Sequence, residues 1–185
     1  MAQEKPTATI DRFLRDEAAT AALGAALADA LLDLAAPIER QGLAIGLSGD
    51  LGAGKTALVR ALLRRCGVQG SVKSPTYALL EPYEVSRLHL YHFDFYRFKV
   101  PEEFLDRGFG EYFGPAAVCL VEWPEQAGAF LPPCDLQLTL QVDPAAAAGA
   151  TMEPGRRVTI KAYTELGAQC LERIDHPSSP VHGAA

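Results

Sequence analysis

The sequence predicts an α/β fold, in which a central mixed, largely parallel sheet carries helices on both faces. A short apolar run at residues 43–47, a glycine-rich loop and an amphipathic run at 57–65 together form a β-loop-α unit. Residues 116–121 are almost continuously apolar, which is the pattern of a strand covered on both faces. The chain of 185 residues, 49% hydrophobic and 22% charged, is long enough for one domain with its own core.

The first elements are an edge strand and a helix, followed by the β-loop-α unit. Residues 7–14 alternate weakly between apolar and polar side chains, and Asp16 behind them is a suitable helix N-cap. Pro37 is predicted to end this helix, and Gly67 the helix of the β-loop-α unit. One apolar stripe indicates the first helix, and it consists of Leu23, Leu27, Ala30, Leu31 and Leu34.

Further strands and short helices follow. Two β-rich runs at 77–83 and 88–96 are separated by 84–87, which predicts a hairpin. The Ala-, Pro- and Gly-rich segment 143–155 predicts a mobile loop, and the polar tail 175–185 predicts disorder, so that a single domain spans 1–174. The other expected elements are a helix at 102–107 broken by Gly108 and Gly110, strands at 116–121, 136–142 and 157–163, and a last helix capped by Thr164.

The run at 88–96 also predicts which side chains share a face. Period 2 places Asp94 beside His92 and Tyr96, opposite the aromatic row of His89, Tyr91, Phe93 and Phe95. The aromatic row is the side expected to pack. An acid in such a strand needs solvent or a partner, so Asp94 is expected to meet a cation or a ligand, with Arg97 as the alternative partner.

Residues 49–56, Gly-Asp-Leu-Gly-Ala-Gly-Lys-Thr, fit the phosphate-loop pattern G-x-x-x-x-G-K-[ST] between a strand and a helix. Backbone N–H groups of such a loop point at phosphate. Lys55 adds a positive charge, the Thr56 hydroxyl can ligate Mg²⁺, and glycines allow conformations that a side chain would block. The alternative, a glycine-rich turn that binds nothing, is disfavoured by the correct strand and helix on either side.

Two further features are expected beside this loop. Residues 72–77, Val-Lys-Ser-Pro-Thr-Tyr, lie where nucleotide-dependent proteins carry a segment that senses the γ-phosphate or Mg²⁺, although an ordinary proline turn fits equally well. Glu122 ends a buried strand, where open α/β sheets place ligand-binding groups, and is a candidate Mg²⁺-side carboxylate or general base. The alternative is that Glu122 caps a turn and Trp123 belongs to the core.

Composition argues against several classes of function. A net charge of −6 disfavours unaided binding to DNA or RNA, which needs clustered Lys and Arg. No stretch is apolar enough for a signal peptide or a membrane span, so a cytoplasmic protein is expected. Structural zinc is not expected, because the cysteines lie far apart and have no His at ligand spacing; they are Cys66, Cys119, Cys134 and Cys170.

Four segments together resemble the TsaE family, the small ATPase component of bacterial tRNA threonylcarbamoyladenosine synthesis. They occur in family order and at close to family spacing, and the resemblance extends over about residues 10–142. The phosphate loop alone is shared by many families, whereas the other three segments are specific. The segments are GDLGAGKT (49–56), VKSPTYALLEPYE (72–84), YHFDFYR (91–97) and CLVEWPE (119–125).

The resemblance implies a P-loop NTPase-like three-layer sandwich that binds Mg-ATP or Mg-ADP and hydrolyses ATP slowly. It implies action in a complex with the partner proteins TsaD and TsaB. In that complex TsaD transfers the threonylcarbamoyl group to tRNAs that read codons starting with A, and the ATPase resets or licenses the complex between turnovers. Contact with tRNA is then only indirect.

The resemblance also implies roles for single residues. Lys55, Asp94 and Glu122 become the catalytic residues, with Thr56 and Glu122 on Mg²⁺ and Asp94 as a second acid near the γ-phosphate. Thr76 belongs to the switch-like loop. The implied nucleotide contacts are Gly49, Asp50, Leu51, Gly52, Ala53, Gly54, Lys55, Thr56 and Ala57, with Trp123 at the border of the site and Glu17 on the adenine side. The chain departs from the family at Ala57, where a second hydroxyl is common.

Other classes of protein share parts of this pattern. A small-molecule kinase would have the same loop, but its lid should carry several arginines, and beyond Arg107 only Arg156, Arg157 and Arg173 follow. A GTP-dependent switch would need a guanine-reading N-K-x-D segment, which the sequence lacks. A scaffold that binds nucleotide without turnover is compatible with the sequence.

Overall fold

Seven strands form one mixed sheet in the computed structural model, which describes residues 5–85, 87–143 and 155–176. They are β1 (Ala8–Leu14), β2 (Leu43–Ser48), β3 (Leu80–Val85), β4 (Leu88–Asp94), β5 (Ala117–Glu122), β6 (Leu136–Val142) and β7 (Arg156–Ala162). Their order across the sheet is β1-β7-β6-β2-β5-β4-β3. Parallel pairs join β6, β2, β5 and β4 in the middle, and antiparallel pairs form both sides. The mixed sheet is thereby confirmed, but its strand pairs are three parallel and three antiparallel, so the sheet is parallel only in its centre.

Helices cover both faces of this sheet, as predicted, but unequally. Three long helices, α1, α3 and α5, pack their apolar sides on one face, which we call the long-helix face. The other face carries only short helices, which enclose an aromatic cluster that includes Phe93, Phe95 and Phe109. The helices are α1 (Glu17–Asp33), α2 (Ala35–Gln41), α3 (Lys55–Arg65), α4 (Glu103–Asp106) and α5 (Glu165–Asp175), with 3₁₀ helices at Phe109–Tyr112 and Pro124–Phe130.

The prediction that Pro37 ends the first helix is wrong. Helix α1 ends at Asp33, and α2 begins at Ala35 with its axis bent by 75° from that of α1. Pro37 lies in the first turn of α2, where a backbone N–H has no partner within the helix, so the missing donor removes no hydrogen bond. The predicted N-cap is confirmed, because the Asp16 carboxylate accepts from the backbone N–H of Ala19 at 2.7 Å.

The hairpin is confirmed, but its first strand begins later than predicted. Residues 76–79 form a turn in which the backbone N–H of Leu79 donates to the carbonyl of Pro75, and β3 starts only at Leu80. Leu79 has a φ of 69°, a left-handed conformation that interrupts strand geometry. The loop at 72–77 therefore extends to the start of β3 and is followed by the hairpin.

The predicted division of β4 into two faces is confirmed, but the expectation that the aromatic row is the packing side is wrong, because the opposite face is buried at every position. Leu88 and Leu90 join the core under the long helices, while Phe93 joins the aromatic cluster on the opposite face. His92 and Asp94, which alternate with Phe93, therefore lie on the long-helix face at the carboxyl end of the strand. This is the edge at which open α/β sheets bind ligands.

Two expected segments lie largely outside the described residues. These are the loop at 143–155, of which only the two end residues are described, and the tail at 175–185. Helix α5 includes Asp175, the first residue of that predicted tail, and the Asp175 carboxylate forms an ion pair with Arg12 of β1. The predicted cap of α5 is confirmed, because the Thr164 hydroxyl accepts from the N–H of Gly167 at 3.0 Å.

Candidate phosphate-binding site

The glycine-rich loop connects β2 to α3, and α3 begins at Lys55. Gly49 and Gly54 have φ values of 135° and 104°, which side chains rarely adopt. A Cβ atom at Gly49 would lie 2.1 Å from the carbonyl oxygen of Leu140, so only glycine lets the loop pass this close to β6. The loop thus turns back over the carboxyl end of the sheet and delivers the free backbone N–H groups of α3 to that edge.

Lys55 is the buried cation of this loop. Its ammonium Nζ donates to the carbonyls of Gly49 at 2.6 Å and Asp50 at 3.0 Å, and lies 3.8 Å from the ring centroid of Trp123. Burial lowers the pKa of Lys55, while nearby carboxylates, Glu122 foremost, act in the opposite direction. The loop and the aromatic ring therefore hold the positive charge in one place at the end of β2.

Glu122 receives hydrogen bonds from two different elements. The Thr56 hydroxyl donates to both carboxylate oxygens of Glu122, at 2.8 and 3.0 Å. His92 Nε2 lies 2.9 Å from Glu122 Oε1, and both of these side chains are buried. These hydrogen bonds join the start of α3 to the end of β5. His92 of β4 also fixes the orientation of the Glu122 carboxylate. His92 was not among the expected site residues, although it shares the predicted face of Asp94.

Asp94 lies directly beside Glu122 in the parallel pairing of β4 with β5. Its carboxylate accepts from the hydroxyls of Ser74 and Thr76, the latter at 2.7 Å, and from the backbone N–H of Tyr96 at 3.0 Å. The alternative pairing with Arg97 is not observed, because that guanidinium lies over the ring of Tyr77 at 4.2 Å. The loop at 72–77 is therefore attached through its hydroxyls to an acid of the site.

A cavity of about 550 Å³ collects these groups at the carboxyl edge of the sheet. Of the expected residues it is lined by Glu17, Leu51, Gly52, Gly54, Lys55, Thr56, Ala57, Thr76, Asp94, Glu122 and Trp123. Gly49, Asp50 and Ala53 do not line it; the first two accept hydrogen bonds from Lys55, and Ala53 is fully buried. Ser74 of the loop at 72–77 also lines it, together with three residues that sequence analysis did not assign to the site, Thr20, Tyr96 and Arg156.

The oxygen atoms of the cavity side chains suit a metal ion that takes most of its ligands from phosphates and water. Within the described ranges no three His, Cys, Asp or Glu side chains form a metal cluster, and the four cysteines are free thiols. A hydroxyl and carboxylates beside a phosphate loop are the protein ligands that Mg²⁺ uses when phosphates and waters complete its shell. Thr56 and Glu122 meet that description, and Asp94 lies next to them.

The seven-stranded mixed sheet with helices on both faces defines an α/β protein, and its glycine-rich loop fits the phosphate-loop pattern. A family model described as "Threonylcarbamoyl adenosine biosynthesis protein TsaE" matches residues 14–150, and the chain belongs to this family. The tRNA threonylcarbamoyladenosine biosynthesis protein TsaE of Haemophilus influenzae is 35% identical over 168 residues, which are 91% of this chain and 99% of that protein. The protein of the same name from Bacillus subtilis is 38% identical over 112 residues, 60% of this chain and 70% of that protein.

A solved structure shows the same fold. The crystal structure of Bacillus subtilis YdiB has a TM-score of 0.69 and 26% sequence identity, and the match covers 91% of this chain and 95% of that chain.

In the described part of the chain, no single helix is long and apolar enough to cross a membrane; the bent pair α1 and α2 reaches that size only when counted together.

Proposed function

We propose that the protein is a Mg-ATP-dependent ATPase that acts in the formation of threonylcarbamoyladenosine in tRNA. Membership of the TsaE family supports the pathway, since the relatives are named for that biosynthesis. The observation that carries the ATPase part is the convergence of Lys55, Thr56 and Glu122 on one cavity at the carboxyl edge of the sheet. A cation, a hydroxyl and a carboxylate in this arrangement suit a nucleotide polyphosphate with its Mg²⁺.

Each of these groups has a defined part in the proposed reaction. The backbone N–H groups of the loop and the Lys55 ammonium bind the phosphates. The Thr56 hydroxyl and the Glu122 carboxylate would hold Mg²⁺, which when bound neutralises charge on the phosphate oxygens. Glu122 also accepts from His92, so its orientation is fixed before any ligand arrives. Trp123 beside Lys55 excludes water from that side of the ammonium.

Asp94 and the hydroxyl-rich loop form the part of the site that can respond to the γ-phosphate. Ser74 and Thr76 donate to Asp94. A γ-phosphate or its cation close to Asp94 would compete for these hydroxyls and change the position of the loop. Tyr77, at the end of the same loop, is 86% exposed, so such a change would alter a surface that partners can contact.

The proposed partners are proteins of the TsaD and TsaB type. With a net charge of −6, the chain is not suited to hold tRNA by itself, so tRNA would be met only through TsaD, which modifies tRNAs that read codons starting with A. The ATPase then supports or resets the transferase complex and does not transfer the threonylcarbamoyl group. Nucleotide-dependent docking requires that ATP binds more tightly to the docked form than to the free form.

Phosphate release from ATP, measured with and without TsaD and TsaB, tests this proposal. We expect slow release by the isolated protein and faster release in the presence of both partners. Nucleotide binding without phosphate release in either condition would contradict the ATPase and leave a nucleotide-binding scaffold. Phosphate transfer from ATP to a small molecule instead of water would identify a kinase.

Capture by immobilised TsaD and TsaB tests the docking part separately. We expect capture of the wild-type protein with ATP and weaker capture with ADP or without nucleotide. Thr76→Ala should reduce the difference between ATP and ADP, because it removes a hydroxyl that links the loop to Asp94. Equal capture in all three states would contradict nucleotide-gated docking.

A further inference from the structure

Besides Lys55, the cavity is lined by a second cationic side chain. Arg156, the first residue of β7, lines the cavity together with Lys55 and Thr56. Its guanidinium atoms Nε and Nη1 are buried and have no hydrogen-bond partner among the described residues. The side chain as a whole is partly exposed, but guanidinium nitrogens that are buried without acceptors are unfavourable, because they lose their hydration and gain no compensating contact.

The backbone directs this side chain towards the phosphate loop. Val158 and Ile160, which alternate with it along β7, belong to the core under the long helices, so Arg156 also lies on the long-helix face. Its Nε lies 3.0 Å from the position that a Cβ atom at Gly54 would take. The guanidinium is thus packed against the last glycine before α3, and any side chain at position 54 would displace it.

The sheet order shows which end of a nucleotide this arginine can meet. Glu122 and Asp94 lie on β5 and β4, on one side of β2, which carries the loop. Arg156 lies on β7, on the opposite side of β2, where β1 leads into α1 and its cavity residues Glu17 and Thr20. If the carboxylates take the metal and the γ-phosphate, the nucleoside end of the ligand extends towards β7 and α1.

We infer that Arg156 binds the α-phosphate of the nucleotide through its guanidinium. This inference rests on the proposed nucleotide-binding function. Arg presents several N–H donors in one plane, which matches two oxygens of a phosphate group. The arrangement also supplies a phosphate contact near Ala57, whose methyl group has no hydroxyl to offer and which lines the same cavity. Because ATP and ADP share the α-phosphate, Arg156 contributes equally to the affinity for both.

Calorimetric titration with Mg-ADP and Mg-ATP tests the inference on wild type, Arg156→Met, Arg156→Lys and Arg157→Met. Arg157→Met is the matched control, because Arg157 is the next residue of the same strand, 71% exposed and paired with Asp143. We expect Arg156→Met to raise the Kd for both nucleotides by about ten-fold or more, equal to about 1.4 kcal/mol. The Kd values of Arg156→Lys should lie between those of wild type and Arg156→Met, since lysine keeps the charge but lacks the planar donors. The Kd values of Arg157→Met should equal those of wild type.

The outcomes separate this inference from the proposed function. Binding by wild type with an unchanged Kd for Arg156→Met would overturn the role of Arg156 alone. A loss confined to ATP would place the guanidinium at the γ-phosphate and would also overturn it. Absence of nucleotide binding by wild type would instead refute the proposed function.

Thermal melting without nucleotide distinguishes a ligand-binding arginine from a structural one. Since Nε and Nη1 gain no protein partner, replacement by Met should leave the melting temperature at or above that of wild type while reducing the increase that Mg-ADP produces. A structural role predicts a lower melting temperature without nucleotide and an unchanged increase with Mg-ADP. That result would overturn the inference.

Discussion

His92 Nε2 and Glu122 Oε1 lie 2.9 Å apart, and both side chains are buried on the long-helix face of the sheet. A carboxylate accepts hydrogen bonds, so the imidazole is placed to donate from Nε2. Its other ring nitrogen, Nδ1, has no partner among the described residues. His92 is therefore placed to orient the Glu122 carboxylate from the protein interior, and it does not itself line the cavity.

This relationship predicts that His92 affects turnover through Glu122. His92→Leu should lower the rate of phosphate release by about ten-fold or more, the usual effect of losing a partner that orients a metal-side ligand. The Kd for ADP should stay within a few-fold, and His92→Gln should retain more activity because it keeps a donor. His89→Leu is the control, since His89 lies on the same strand but is exposed. Wild-type release by His92→Leu would contradict the role.

The two adjacent carboxylates are predicted to act in turnover more than in binding. Glu122→Gln and Asp94→Asn should each reduce phosphate release by at least about ten-fold, or about 1.4 kcal/mol of transition-state stabilisation, with ADP affinity nearly unchanged. Glu125→Gln is the matched control, because Glu125 is exposed and bonds Ser48 outside the cavity. A variant that hydrolyses ATP at the wild-type rate in the presence of partners identifies its carboxylate as structural.

The lowered pKa of Lys55 predicts a pH-dependent stability. The folded state disfavours the charged ammonium, which lowers the free energy of unfolding. This loss of stability is fully present below the folded-state pKa, and it disappears as the pH rises towards the unfolded pKa of 10.5. The free energy of unfolding of wild type should therefore increase relative to Lys55→Met as pH is raised from 7 towards that value. Urea unfolding of both proteins at each pH measures the difference between their free energies of unfolding. Titrating groups that both proteins share contribute equally to the two values and cancel in this difference. A difference that is constant or falls with pH would contradict the shift.

The cysteines are predicted to react slowly with alkylating reagents. Burial raises the pKa of the Cys66 thiol to about 11 and those of Cys134 and Cys170 to about 12, and raises that of Cys119 further. The thiolate is the reactive form, so very little is present at pH 8. Cys66 is the least buried and should react first, at a rate that rises with pH. Rapid labelling of Cys119 in the native protein, followed by mass spectrometry, would contradict this burial.

Local patterns explain which parts of the fold were predictable. The strand at residues 43–47 and the faces of β4 follow from the period of apolar residues, which does not depend on distant contacts. The break between α1 and α2 does depend on them, because Pro37 is compatible both with the end of one helix and with the first turn of the next. Packing of Ile38 in the core under the long helices favours the second arrangement.

The candidate site shows the same division. The phosphate loop, Asp94 and Glu122 were found from motifs and strand ends, but their side-by-side position depends on the register of β4 against β5. Arg156 follows a poorly patterned segment, and it reaches the cavity only because β7 pairs antiparallel with both β1 and β6. No local pattern predicts that pairing. The contact of His92 with Glu122 likewise joins residues that are separated by 30 positions.

Titration calorimetry of Mg-ADP against wild type and Lys55→Ala tests the central claim, nucleotide binding at the loop of residues 49–56. The account predicts a wild-type Kd of about 1 μM, or about −8 kcal/mol, and no measurable binding by Lys55→Ala. Lys73→Ala, which removes an exposed cation outside the cavity, should bind as wild type does. Unchanged ADP affinity in a folded Lys55→Ala protein would contradict the account.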